Sequence, residues 1–373
     1  MLDKRAEKLA DILVDYSVEL QKGDHLLVMA EPGFEDFIRV LEGKAKAKKA
    51  EFRTYIQSPK EKRALVEKID KKRLKEEAKK IIGMAHWSTA CIRVSAMTDP
   101  DYLKGIKPRN IAAYTEIVRK PFTDILVGDG KKHPGKKWNI VGYPCAPEAK
   151  FYGMSLKEYS DFIFSATNVD WKKVSNEMRH IKEAFDNAAE VKVLVDGNTK
   201  TELSISLKGR GGDLCDGKYN MPDGEVFYGP VEDSAQGQVY FPYKTIRDGN
   251  IVEGIYLEFK KGKIVNFDAD KNKEFLKEML AIDGAKRVGE LGIGCNYGIK
   301  KYLGNLLFDE KIGGTVHMAL GNSYKLPLDS GGGKNTSALH WDIVCDLRKI
   351  NGLMGGQLFV DNKLVQENGE WRI

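Results

Sequence analysis

At 373 residues the chain is longer than one hydrophobic core usually serves, so two domains are expected. Its net charge of +6 rests on 60 basic and 54 acidic side chains, with lysines scattered among glutamates, which argues against a nucleic-acid partner. Five cysteines without any C-x-x-C suggest neither a disulfide framework nor a zinc knuckle. No apolar run approaches the roughly 18 residues of a membrane span, and the charged opening "MLDKRAEKLADILVDY" is unlike a signal peptide, so a cytoplasmic protein is expected.

In chain order, Ala6, Leu9, Leu13 and Tyr16 recur at helical spacing, and "GDHLLVMA" (23–30) then reads as a buried strand. "EDFIRVLEGKAKAKKA" (35–50) predicts an amphipathic helix and "EFRTYIQ" (51–57) a strand, followed by charged helix to about Ile82. "ACIRVSA" (90–96) and "WNIVGYP" (138–144) read as further strands. This alternation predicts a three-layer α/β domain with a largely parallel sheet over residues 1–185. No G-x-G-x-x-G follows the first strand, which disfavours a dinucleotide site. Residues 155–188 read as helix throughout, with Ser155 or Asp170 as the cap. Beyond that the texture becomes short alternating strands broken by Gly, Asn and Asp, with "FKKGKIV" as a hairpin and one helix at 271–281. The expected second domain, 186–373, is therefore β-rich α+β.

The segment "GGGKNTSALHWDIV" (331–344) offers two readings. A phosphate-binding G-x-x-x-x-G-K-[ST] fails twice, because Leu328 stands where the leading glycine should be and Asn335 where the hydroxyl should be. The other reading is a strand. Leu339, Trp341 and Ile343 share one parity, and His340 and Asp342 the other, roughly 6–7 Å apart along one face. His317 lies in another glycine-opened strand pattern, "GGTVHMALG". Glu225, after the Pro-Asp-Gly turn of "NMPDGEVFYGP", and Glu290, in "RVGELGIGCN", are carboxylates in apolar settings where burial demands a partner. Two Glu, two His and one Asp, without thiolate, suit Zn²⁺, Co²⁺ or Mn²⁺, and five ligands suit two ions about 3.5–4 Å apart. His25, His86, His133 and His180 read as structural or surface residues.

These stretches, with "VEGIYLEFKKGKIV" (252–265), "GTVHMALGNSY" (314–324) and "NTSALHWDIV" (335–344), resemble the thermophilic metallo-aminopeptidases, the aminopeptidase T and aminopeptidase S group. "MPDGEVF" and "SALHWD" are the most specific; the first half resembles the group more diffusely, through its opening helix and "KGDHLLV". The resemblance implies a two-metal exopeptidase, a homodimer with no membrane partner, acting on short peptides with a free N-terminus. It implies Glu225, Glu290, His317, His340 and Asp342 as metal ligands and Tyr324 as a catalytic hydroxyl. Glu225 is then expected to bridge the metals, and Glu290 to double as the base for a metal-bound hydroxide that attacks the first peptide carbonyl. The loop "LDSGGGKN" departs from the group's pattern, which bears on substrate range. The alternatives are a metal-dependent hydrolase of another amide or a phosphoester, aided by Lys325 and Lys334, and a non-catalytic peptide- or metal-binding protein.

Overall fold

The structure, a computed structural model, describes residues 3–99, 101–128, 132–197, 201–247, 250–350 and 352–373. In it Leu26, Leu27 and Val28 are all buried, as a strand covered on both faces requires. That strand, His25–Ala30, has Glu51–Ile56 on one side and Ala90–Ser95 on the other, and Lys137–Gly142 and Asn220–Met221 extend the sheet; every pairing is parallel. Leu27 and Cys91 face a helical layer through Leu74, Ala78 and Ile81 of the helix Lys71–Trp87 and Ile125 and Leu126 of Lys120–Val127. Leu26, Val28 and Ile92, one residue out of phase, are buried on the opposite face. Local chemistry starts the helices where it should. Ser58 and Glu61 form a reciprocal capping box behind Pro59, and Ser155 and Glu158 form another.

The expected single helix over 155–188 is two, Leu156–Thr167 and Trp171–Phe185. Asp170 accepts the backbone N–H of Lys173 and so begins a new helix, and both suggested caps are used. The chain divides into compact units of residues 1–168 with 217–222, and 169–216 with 223–373. The helix Trp171–Phe185 thus lies in the second unit. Met178, Ile181 and Phe185 belong to the same core as Val191, Val193 and Leu203. An apolar stripe states that a helix face is buried, without stating against which sheet.

Among the described residues, the second unit holds a nine-stranded and a five-stranded sheet, both antiparallel. The predicted hairpin joins Asn250–Lys260 to Lys263–Lys271 through Lys261 (φ 49°) and Gly262 (φ 73°), the left-handed pair that a tight two-residue turn requires. The five-stranded sheet runs His340–Asp346, Thr315–Gly321, Val288–Gly294, Glu225–Tyr228 and Asp213–Cys215. One face supplies Val226, Leu291, Ile293, Val316, Met318, Trp341 and Ile343 to a core shared with Val239, Phe241, Ile255 and Leu257 of the larger sheet. The other face carries the candidate site.

Candidate metal centre

The antiparallel register aligns the candidate residues on that second face. Glu290 lies opposite Ala319, which lies opposite Asp342; Gly292 is opposite His317; Gly294 is opposite Glu225; and Gly321 is opposite His340. All these positions share one parity, so the five polar side chains emerge together while their strand neighbours fill the core. The glycines are spacers. A Cβ on Gly292 would stand 1.9 Å from Cε1 and 2.0 Å from Nε2 of His317, so the imidazole lies where any other residue would put its side chain.

The structure brings all five together. His317 Nε2 is 3.3 Å from Glu290 Oε1 and 3.5 Å from Glu225 Oε2, and His340 Nε2 is 3.6 Å from Glu290 Oε2 and 3.4 Å from Asp342 Oδ1. Among the described residues four groups have donor atoms within 4.8 Å of one another: Glu225–Glu290–His317, Glu290–His340–Asp342, Cys215–Asp223–Glu225 and Glu310–His317–Asp342. Glu290 is the carboxylate in contact with both histidines.

Backbone carbonyls aim both rings. His317 Nδ1 lies 3.1 Å from the carbonyl of Glu310, and His340 Nδ1 lies 2.8 Å from that of Asn322. A carbonyl can only accept, so Nδ1 carries the proton and Nε2 is turned towards the carboxylates, the arrangement common in metal-ligating histidines. Burial alone would depress the His317 pKa, yet the hydrogen bond to Glu290 and the charge of Glu225 raise it to about 10. His340 rises to about 9 against the same burial penalty, through Asp342 and Glu290. Burial pushes Glu225 up to about 8 despite the pull of Lys311, and it raises Glu290 as well. Asp342 is held below its usual value, its burial outweighed by His340.

Oε2 of Glu225 and Oε2 of Glu290 are buried without a hydrogen-bond donor, a costly state for a carboxylate oxygen unless a cation meets it. With two inward imidazole nitrogens beside them, this nitrogen-and-oxygen set fits divalent ions of the Zn²⁺, Co²⁺ or Mn²⁺ kind.

Tyr324 stands at the edge, 46% exposed, with its ring 5.1 Å from His340 and edge-on to Phe227 at 5.4 Å. The glycine run frames it. Gly333 N–H donates to the Tyr324 carbonyl, Gly331 donates to Gly211, and a Cβ on Gly229 would lie 2.4 Å from the carbonyl oxygen of Gly332. The run is a packing device, and the N–H of Lys334 already bonds the carboxylate of Glu232. Lys325 is tied to the Asn335 carbonyl and the Thr336 hydroxyl, so this loop is poorly suited to gripping a phosphoester. Elsewhere, His25 stacks on Trp87, His86 lies near His133, and His180 lies beside Glu183.

Sequence reasoning missed Glu310 and Lys311. The Lys311 side chain is 1% exposed, its ammonium 3.6 Å from Glu225 Oε1 and in contact with the Glu310 carboxylate. Burial would lower its pKa, but Glu225, Glu310 and Asp223 raise it, so it stays an ammonium. In "FDEKIGG" nothing marks this lysine as buried, since only the approach of strand Glu225–Tyr228 surrounds it with carboxylates.

Known proteins resemble the chain in sequence and in fold. Aminopeptidase T of Thermus thermophilus is 26% identical, covering 94% of this chain and 95% of its own length. Aminopeptidase AmpS of Bacillus subtilis is 27% identical, covering 99% of this chain and 100% of its own. The solved structure of wild-type AmpT from Thermus thermophilus superposes with a TM-score of 0.72 at 21% identity, over 99% of both chains, and so shares the fold. The profile of the thermophilic metalloprotease family M29 matches residues 2–371, and the chain belongs to that family of metal-dependent peptide hydrolases.

Proposed function

We propose that the protein is a metallo-aminopeptidase that removes the N-terminal residue of short peptides at a dinuclear site made by Glu225, Glu290, His317, His340 and Asp342. The observation that carries this reading is the pair of donor groups sharing Glu290 on one sheet face, in a chain whose family is metalloproteolytic and whose relatives are named aminopeptidases. Zn²⁺, Co²⁺ or Mn²⁺ bound there supplies Lewis acidity towards the scissile carbonyl and makes water a competent nucleophile near neutrality.

The protein's own groups do the rest. Glu290, the carboxylate in contact with both histidines, is the group this reading assigns to take the proton of the attacking water and return it to the leaving amine. Tyr324, at the exposed edge beside His340, donates its hydroxyl to the oxyanion of the tetrahedral intermediate. Its phenol is pushed up by partial burial and by the charges of Glu290 and Asp342, so it keeps the proton it must donate. A free α-amine is attracted to this carboxylate-rich site, whereas an acetylated one has lost both charge and lone pair.

The test is hydrolysis of matched free and N-acetylated dipeptides by chelator-treated protein, with and without added Zn²⁺, Co²⁺ or Mn²⁺. Cleavage should require the metal and be confined to free amines. Cleavage of acetylated peptides at equal rate, or turnover without metal, would sink the proposal.

A further inference from the structure

Lys311 is the one lysine buried among the described residues, and its position is over-determined. Its carbonyl accepts the N–H of Asn296 at 2.9 Å, and its own N–H reaches the Phe308 carbonyl at 3.1 Å. Asn296 also donates to the Asp223 carbonyl at 2.8 Å. Upstream, Asn305 caps the short helix Leu306–Asp309, Phe308 is buried, and buried Asp309 accepts the N–H of Leu303 at 2.7 Å. The fold thus holds residues 305–311 tightly, and the end of that segment touches two candidate ligands at once. Lys311 Nζ approaches Oε1 of Glu225, and the Glu310 carbonyl accepts from Nδ1 of His317.

A buried ammonium is a poor way to fill space, because desolvation removes much of what the ion pair returns; a methionine would pack as well without that penalty. The charge balance shows what the lysine contributes. Asp223, Glu225, Glu290, Glu310 and Asp342 converge on the site, and Lys311 is the permanent cation they surround. With its Oε1 engaged by Lys311, Glu225 has Oε2 left without a donor, facing His317 Nε2 at 3.5 Å.

We infer that Glu310 and Lys311 are the positioning pair of the metal centre. Lys311 holds Glu225 by one oxygen so that the other is presented to the ion, while the Glu310 carbonyl fixes the His317 ring so that Nε2 meets the same ion. The inference rests on the dinuclear reading given above. They act through the two ligands, and the Glu310 carboxylate itself lies within 4.8 Å of donor atoms of His317 and Asp342. Supporting groups of this kind are typically worth about 10–100-fold in metal affinity.

The experiment is a Co²⁺ titration of chelator-treated full-length protein, read by visible absorption and by competition with a chromophoric chelator. It is run on wild type, Lys311→Met, Lys311→Arg and Glu310→Gln, with circular dichroism and thermal melting as fold controls. Wild type should take two equivalents. Lys311→Met should weaken the equivalent held by Glu225 and His317 by about tenfold or more and change its absorption, with Lys311→Arg recovering most of the loss. Glu310→Gln keeps the backbone carbonyl that aims His317 and should lose less; a further variant, Lys311→Gln, carries the test should Lys311→Met not fold. A folded Lys311→Met or Lys311→Gln protein with wild-type affinity and spectrum would overturn the positioning pair while leaving the metal site standing. Wild type that binds no Co²⁺ would overturn both.

Discussion

The chemistry of single residues is set by what the backbone leaves room for. Gly292 shows this best, because its missing side chain is the space the His317 imidazole occupies. Gly292→Ala should displace the ring, reduce metal-dependent peptide hydrolysis by at least about 100-fold, and cost about 1–3 kcal/mol of stability through overpacking. Steady-state kinetics and urea denaturation together check this; an active, stable alanine variant would show that the ring has another place to go. The glycine was legible in "VGELGIG", but its partner was not, since which residue lies across from it depends on the pairing of two strands over 20 residues apart. Tyr324 and the five carboxylate and imidazole side chains were named from sequence and do converge. That Glu290 reaches both His317 and His340 was not legible, because it is a property of distances and not of spacing.

Parity governs at the level of the strand. His340–Asp346 turns His340 and Asp342 to the site while Trp341, Ile343 and Cys345 enter the core. Two substitutions three residues apart should therefore separate function from stability. Asp342→Asn should abolish turnover with little change in the melting temperature. Cys345→Ser should keep turnover near wild type yet cost about 1–3 kcal/mol, since it places a hydroxyl in an apolar core. Parallel assays of activity and thermal melting decide it; comparable activity loss in both variants would mean that the strand faces are not independent. Alternation was readable in "SALHWDIV", as was the hairpin at Lys261–Gly262, because both are local patterns of period two and of turn chemistry. The break between Thr167 and Trp171 was not, although Asp170 had been marked as a cap, because the apolar period runs on across it.

The chain divides into two compact units, and the sheet face that carries the candidate metal ligands belongs to the second. Ligand linkage then makes a specific prediction. Free Zn²⁺ at about 100 times its dissociation constant should add about 2.7 kcal/mol per site to the second unit. The first unit should melt at the same temperature with or without the ion. Calorimetry of chelated and metal-loaded protein would show one shifted and one unshifted transition; two unshifted transitions would argue that the site does not hold metal in the folded state.

The sequence by itself determined the class of each half, since alternating helix and strand periods demand a covered parallel sheet and short period-two runs demand antiparallel ones. It also singled out five candidate metal ligands, carboxylates and imidazoles set in apolar, glycine-spaced strands, but not Cys215, Asp223 and Glu310, which the fold adds to the candidate donor groups. Only the tertiary structure decided that the helix Trp171–Phe185 belongs with the second core, that Glu290 meets both histidines, and that Lys311 is buried against Glu225. The reason is the same in each case. Periodicity reports that a side chain faces something, but strand register and the packing of distant segments decide what it faces.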